Sequence, residues 1–388
     1  MDIVLSEEQI AIQDAISEIM AKFGDDYWLE KDTNGGFPEK FYRAMAEGGW
    51  LGISFPEEVG GANLGILSAS VMMKSIACSA GAMQAASAIH MNIFGPKAIA
   101  IFGTEEQKKR WLPPIILGEQ KTAFGVTEPD AGLDTSAINT KATRINGGYI
   151  INGRKIWTST AQVADKILLL ARTSPRDEGK RSLDGLSLFY TDLDRKYCDI
   201  REINKMGRKA VDSNEIFIDN LEVPIEDLIG DEGEGFRYIL HSMNPERILI
   251  GAEAIGIGME ALKRASKYAQ ERMVFGRPIG QNQSIQHPLA ESWAQLEAAW
   301  MMCIKAASLF DKGMPCGAES NAAKYLGSEA GFTACERAIM THGGMGYAKE
   351  FHVERLMREV MINRIAPVSQ QMVLNFISER VLGLPRSY

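Results

Sequence analysis

The sequence predicts an α+β protein in three parts: an N-terminal helical bundle, a middle β-barrel-like unit, and a C-terminal four-helix bundle. Three observations predict it. Helical periodicity with buried-type residues dominates residues 1–120. Short β-rich runs bounded by turn dipeptides fill 121–233, and long helical periodicity returns over 234–388. A chain of 388 residues is too long for one ordinary core, so several packed units are expected.

The first part opens with Ser6 three residues before Gln9, a capping-box pattern, followed by an apolar face of Ile10, Ile16, Ile19 and Met20. Phe37-Pro38 begins a helix that runs to about Gly48. Phe55-Pro56-Glu57-Glu58-Val59-Gly60-Gly61 is a turn-rich break. Residues 64–80 and 87–102 are Ala-, Met- and Ile-rich and read as buried helices. Thr104 and Gln107 form a second capping box, opening a short helix expected to stop at Pro113-Pro114.

In the middle part, Thr140–Ile145 and Tyr149–Ile151 flank Asn146-Gly147, and Asn152-Gly153 follows directly. Both dipeptides are hairpin signals. Lys166–Arg172, Leu186–Thr191 and Glu215–Ile218 are further strands, and Asp231–Gly235 closes the unit. Helical periodicity then covers 236–270, 284–312, 318–341 and 368–382, with Gly/Pro breaks at 276–280, 313–317 and 343–346.

The stretch Asn244-Pro245-Glu246-Arg247 stands out. Asn244 reads as an N-cap and Pro245 as a first-turn residue, ahead of a buried stripe of Ile248, Leu249, Ala252, Ile255 and Leu262. Packing does not need the Glu–Arg pair. Glu246 is either a general base facing a cleft or a first-turn carboxylate complementing the helix dipole beside Arg247.

Apolar content of 45% and charged content of 24% are those of a globular chain. A net charge of −8 argues against nucleic-acid or membrane-surface binding through a basic patch. Five scattered cysteines without a CxxC pair fit a reducing compartment, and five scattered histidines show no metal-ligand spacing. No signal-peptide pattern or membrane-spanning run is visible, so the cytoplasm is expected.

The helix–β–helix order carries five blocks in sequence. These are Phe55 to Gly61, Phe124-Gly-Val-Thr-Glu-Pro-Asp-Ala-Gly-Leu-Asp134, Asn152-Gly-Arg-Lys-Ile-Trp-Thr-Ser159, Glu271-Arg-Met-Val-Phe-Gly276 and His342-Gly-Gly-Met-Gly-Tyr347. Together they resemble the acyl-CoA dehydrogenase family from end to end. The resemblance implies a flavoprotein in which FAD lies between the β unit and the C-terminal bundle, with an acyl-CoA thioester against its ring. The implied reaction removes the α-proton to a base and the β-hydrogen as hydride to the flavin, giving the trans-2-enoyl-CoA. It needs a carboxylate of raised pKa, hydrogen bonds to the thioester carbonyl and a dry site.

By the resemblance, Phe124, Val126 and Thr127 lie along the flavin, and Trp157 and Ser159 cover the ring. Arg272 and Phe275 reach the FAD of a neighbouring subunit, with Arg272 on the pyrophosphate. Gln283, Gly343 and Gly344 share that FAD-facing surface, and Ser369 and Gln371 touch the adenosine half. Many members carry the base on the loop before the last helix, but this chain has Ala366-Pro367-Val368-Ser369 there. In the isovaleryl-CoA and long-chain branch the base is a Glu before an Arg on the long helix. That assigns Glu246 as base and Arg247 as its anchor. Proline at 367 removes a backbone donor for the thioester carbonyl, so that either Ala366 or Val368 donates in a register shifted by one or the carbonyl is held more weakly. Leu133, where many members have Ser, implies an apolar ligand contact. Met243, Met83, Met91 and Ile93 are candidates for the acyl pocket or ordinary core residues.

The implied partners are an acyl-CoA, an electron-transferring flavoprotein as acceptor, and further copies of the chain in a homotetramer. The expected substrate is a branched, alicyclic or otherwise non-standard acyl-CoA rather than plain butyryl-CoA. Alternatives on the same scaffold are an acyl-CoA oxidase-like enzyme or another divergent flavoprotein, and outside it a non-enzymatic helical binding protein.

Overall fold

The structure is a computed structural model that describes residues 5–175 and 183–387. The first helices are α1 (Glu7–Ala21), α2 (Asp25–Asn34), α3 (Glu39–Glu47), α4 (Gly65–Ala77), α5 (Ala82–Phe94), α6 (Lys97–Phe102) and α7 (Glu105–Ile116). Both capping boxes form, at Ser6–Gln9 and Thr104–Gln107. Two expectations are corrected here. The 87–102 stretch is two helices, because Pro96 lacks the N–H that would continue α5 past Gly95. Helix α7 does not stop at Pro113-Pro114 but runs two residues further. The carbonyls these prolines leave free belong to Lys109 and Arg110, which are exposed to water.

The strands are β1 (Thr122–Gly125), β2 (Lys141–Ile145), β3 (Gly148–Ser159), β4 (Lys166–Arg172), β5 (Leu186–Asp192), β6 (Cys198–Glu202), β7 (Ser213–Pro224) and β8 (Leu228–Ile229). They form one sheet in the order β6-β7-β3-β2-β4-β5-β8, with β1 parallel to β4. Its two halves join through the single pairing Lys141–Arg172. Asn146-Gly147 makes the β2–β3 hairpin, with Gly147 at φ +83. Asn152-Gly153 makes no turn, contrary to the sequence signal. Strand β3 continues through it with a bulge, and the Asn152 side-chain Oδ1 accepts from the Asn220 backbone N–H across the strand pair at 2.8 Å.

The C-terminal elements are α8 (Gly235–Glu271), the β9–β10 hairpin (Met273–Val274, Arg277–Pro278), α9 (Gln283–Asp311), α10 (Gly317–His342), α11 (Val353–Ile365) and α12 (Gln370–Arg380). Helix α8 begins well before Asn244, so Asn244 is no N-cap and Pro245 lies inside the helix. The carbonyl freed by Pro245 is that of His241, which is exposed. Helix α11 has no counterpart in the expected four. Its buried face carries Arg355 and Glu359, which pair at 3.1 Å and interrupt the apolar stripe.

Helix α8 is the spine. Its apolar residues join those of α1, α4, α5, α9, α10 and α11 in one core. It meets α10 at glycine contacts: a Cβ at Gly327 would stand 2.6 Å from the Gly251 carbonyl oxygen. Larger residues there would force the helices apart. A second cluster ties α6 and α7 to the sheet and to the start of α8, through Trp111, Leu168, Tyr190 and Tyr238. No helix among the described residues is long and apolar enough to cross a membrane.

Candidate active site

Glu246 sits about three turns into α8, not at its mouth, so it does not complement the helix N-terminus. Its side chain is buried, and Oε2 has no hydrogen-bond partner among the described residues. Burial raises its pKa to about 7, with the Glu253 charge adding to the effect and His90 and Arg247 opposing it. Arg247 is half-buried. Its Nη1 donates to Asn244 Oδ1 at 3.4 Å and its Nε has no partner among the described residues. The Glu–Arg relation is electrostatic, without a direct ion pair.

A second buried group lies near Glu246. His90 of α5 pairs through Nδ1 with Glu253 Oε1 of α8 at 2.6 Å. Burial alone would lower the imidazole's pKa, but the Glu253 carboxylate outweighs it and holds the ring above its usual range. Arg208, in the β6–β7 connection, donates to Ser87 Oγ of α5 at 3.3 Å and to Ser159 Oγ and Ser213 Oγ at 3.1 Å each. Sequence reasoning passed over His90, Glu253 and Arg208. A signal was available for the first two, since each is a lone ionisable residue in an otherwise apolar helical run.

Phe124, Val126, Thr127, Trp157 and Ser159 are brought together where β1 and its continuation run beside β3. The Ile156 N–H donates to the Thr127 carbonyl at 2.9 Å. Behind them, buried Lys155 donates to the Val126 carbonyl at 3.1 Å and to Glu128 Oε1 at 2.8 Å. Burial pulls Lys155 down to about 8 against the pull of Glu128. Glu128 also accepts the Asn139 and Thr140 N–H groups, at 2.7 and 2.9 Å. This clamp fixes the strand end that carries Trp157. That residue adopts φ +60 at a bulge and is 56% exposed, so it is not a core aromatic. Such strain in a non-glycine residue is typical of a site that needs it. Leu133 is exposed on the loop after β1, and Met243 packs half-buried against the second core cluster.

Arg272, Phe275, Gln283, Gly343 and Gly344 form a separate group at the far end of α8, the β9–β10 hairpin, the start of α9 and the end of α10. Among the described residues no hydrogen bond, ion pair or ring contact joins this group to the first. Phe275 is fully exposed, and all five positions are open to solvent. Gly343 has φ +61, and a Cβ at Gly343 or Gly344 would meet nothing within 4 Å, leaving an open glycine shelf. Ser369 caps α12, its Oγ accepting from the Met372 N–H at 3.4 Å, and Gln371 is exposed beside it. In the Ala366-Pro367-Val368 loop, the Ala366 N–H donates to the Ile362 carbonyl at 2.8 Å. The Val368 N–H has no partner among the described residues, while its carbonyl accepts from Lys324 Nζ at 2.9 Å. Met83, Met91 and Ile93 are buried in the core between α5 and its neighbours.

The chain matches the N-terminal domain of acyl-CoA dehydrogenases over residues 6–119, the middle domain over 123–221 and the C-terminal domain over 233–382. It is 36% identical to acyl-CoA dehydrogenase FadE12 of Mycobacterium tuberculosis, over 99% of this chain and 98% of that one. It is 32% identical to the caffeyl-CoA reductase–Etf complex subunit CarC of Acetobacterium woodii, over 91% of this chain and 92% of that one. Among solved structures, butyryl-CoA dehydrogenase from Megasphaera elsdenii superposes with a TM-score of 0.93 at 29% identity, covering 98% of this chain and all of the other. The chain belongs to the acyl-CoA dehydrogenase family, and with it to the FAD-dependent oxidoreductases.

Proposed function

We propose that this protein removes the α- and β-hydrogens of an acyl-CoA thioester, with Glu246 as the base. The observation that carries this is a buried, unpartnered carboxylate with a pKa of about 7, in a chain whose Ala366-Pro367 loop offers no acid. A carboxylate so placed is basic enough to take a weakly acidic α-proton near neutral pH and remains mostly ionised just above it. Arg247 sits beside it as a fixed positive charge that keeps the ionised form accessible. The Val368 N–H is the donor this chain offers to the thioester carbonyl, since the Ala366 N–H is used within its own helix. Apolar walls from α5 and α8 exclude water from the reacting carbons.

The residues present fit a flavin. Exposed Trp157 and the Thr127 and Ser159 hydroxyls would hold the ring. The Gly343–Gly344 shelf with Arg272, Phe275 and Gln283 would hold the phosphate and adenosine parts of another subunit's cofactor, with Ser369 and Gln371 on the adenosine side. When bound, FAD accepts the β-hydrogen as hydride. The separation of the two residue groups within one chain supports a homo-oligomer, read here as a tetramer. So does the exposed apolar hairpin of Met273, Val274 and Phe275. The Etf complex named for CarC supports an electron-transferring flavoprotein as acceptor. Five unpaired cysteines support a reducing compartment such as the cytoplasm.

Glu246→Gln tests the assignment. The variant should keep FAD and acyl-CoA binding but lose reduction of the flavin by substrate, by about 10²-fold or more. Full activity in that variant would place the base elsewhere.

A further inference from the structure

Near Glu246 the protein buries polar groups that proton abstraction does not use. His90 is held through Nδ1 by Glu253, and its Nε2 has no partner among the described residues. Glu253 is fully buried and its Oε2 is likewise unpartnered. The two nitrogens of an imidazole point to opposite sides of the ring, so His90 aims Nε2 away from Glu253. Glu246 and Glu253 lie seven residues apart on one face of α8, about 10.5 Å along its axis, and His90 is within electrostatic reach of both. Ser87, one turn before His90 on α5, carries the Arg208 guanidinium. The His90 ring also packs on Phe94 at 4.8 Å, and Phe94 on Phe124 at 5.5 Å. The cluster thus runs from the proposed base to the strand proposed to lie along the flavin.

Packing does not explain this arrangement. His90 is the one ionisable residue of α5, whose other polar side chains are Gln84, Ser87 and Asn92, and an apolar pair could fill the volume of His90 and Glu253 without stranding polar atoms. A buried ion pair kept for structure alone would be expected to have its remaining donor and acceptor satisfied.

We propose that His90 and Glu253 form a recognition subsite for an oxygen-bearing acyl group. The substrate carries a carbonyl, hydroxyl or carboxylate oxygen beyond its β-carbon, and that oxygen accepts from His90 Nε2. This rests on the dehydrogenase reading and adds the substrate class to it. A plain alkyl tail would leave His90 Nε2 stranded in the bound state. A site built to hydrogen-bond a substrate group rejects the analogue lacking it far more strongly than it rejects a changed methylene count. The positive charge of Arg208 in the same cluster favours an oxygen over an ammonium group at this position.

The test compares matched acyl-CoA pairs of equal chain length, one alkyl and one with an oxygen beyond the β-carbon, on the holoenzyme with a dye acceptor. The wild type should favour the oxygenated member by about tenfold or more in kcat/KM. The double variant His90→Leu/Glu253→Leu should lose that preference while keeping its FAD. The wild-type comparison needs no variant to fold. Equal or better turnover of the alkyl member in every pair overturns the subsite and leaves the dehydrogenase reading standing, as does a preference unchanged in the double variant. Failure of every acyl-CoA, oxygenated or not, to reduce the flavin overturns the underlying reading as well.

Discussion

Glu246→Gln should change how stability depends on pH, independently of any effect on turnover. Burial raises the Glu246 pKa from 4.5 to about 7, so the folded protein holds a proton that the unfolded chain has released. Stability from this group is therefore fully present below about pH 4.5 and is lost as the pH rises through about 7. At about 1.4 kcal/mol per pH unit, the whole loss is about 3 kcal/mol, of which about 2–3 kcal/mol falls between about pH 5 and about pH 8. The glutamine does not titrate. Any cost of burying its amide is the same at both pH values and cancels in the comparison. Urea unfolding of both holoproteins at the two pH values and matched protein concentration would measure this. The wild type should lose about 2–3 kcal/mol relative to the variant on going to the higher pH. Parallel pH dependence in the two proteins would mean that Glu246 does not titrate in this window, and the argument from its burial would fail.

The rate of flavin reduction at limiting substrate should rise with pH as Glu246 ionises, with its midpoint near 7, read by anaerobic stopped flow. A rate flat through that region would contradict a base of this pKa. Arg272→Ala should lower FAD content and shift the protein to smaller species in sedimentation, because its exposed segment lies apart from the chain's own strand site. A flavin-loaded wild-type monomer would refute the shared-site reading.

The order of elements was legible because each part keeps one period: the capping boxes at Ser6 and Thr104, the Asn146-Gly147 hairpin and the long α8 stripe all declare themselves locally. The misses have a common physical cause. Asn244-Pro245 imitates a helix start, and Asn152-Gly153 imitates a turn. Tertiary contacts override both: α8 is held on several sides by neighbouring helices, and β3 is held by β2 and β7. Helix α11 was hidden because Arg355 and Glu359 sit on its buried face, where they pair with each other and bond the backbone at Ala80, Met83 and Gln84. Within the candidate site, the motifs pointed to the strand residues and to Glu246. The His90–Glu253 pair and Arg208 could not be joined from sequence, since their partners are 163 and 121 residues away. Whether the Ala366 N–H is spent within α11 depends on where that helix ends, which only the folded chain shows.

The most direct measurement is to mix the oxidised protein anaerobically with a panel of acyl-CoAs, namely straight short, straight long, branched, alicyclic and oxygen-bearing, and follow the oxidised flavin absorbance. Bleaching by one class, abolished by Glu246→Gln, is the expected result. A yellow protein that no acyl-CoA bleaches would contradict it.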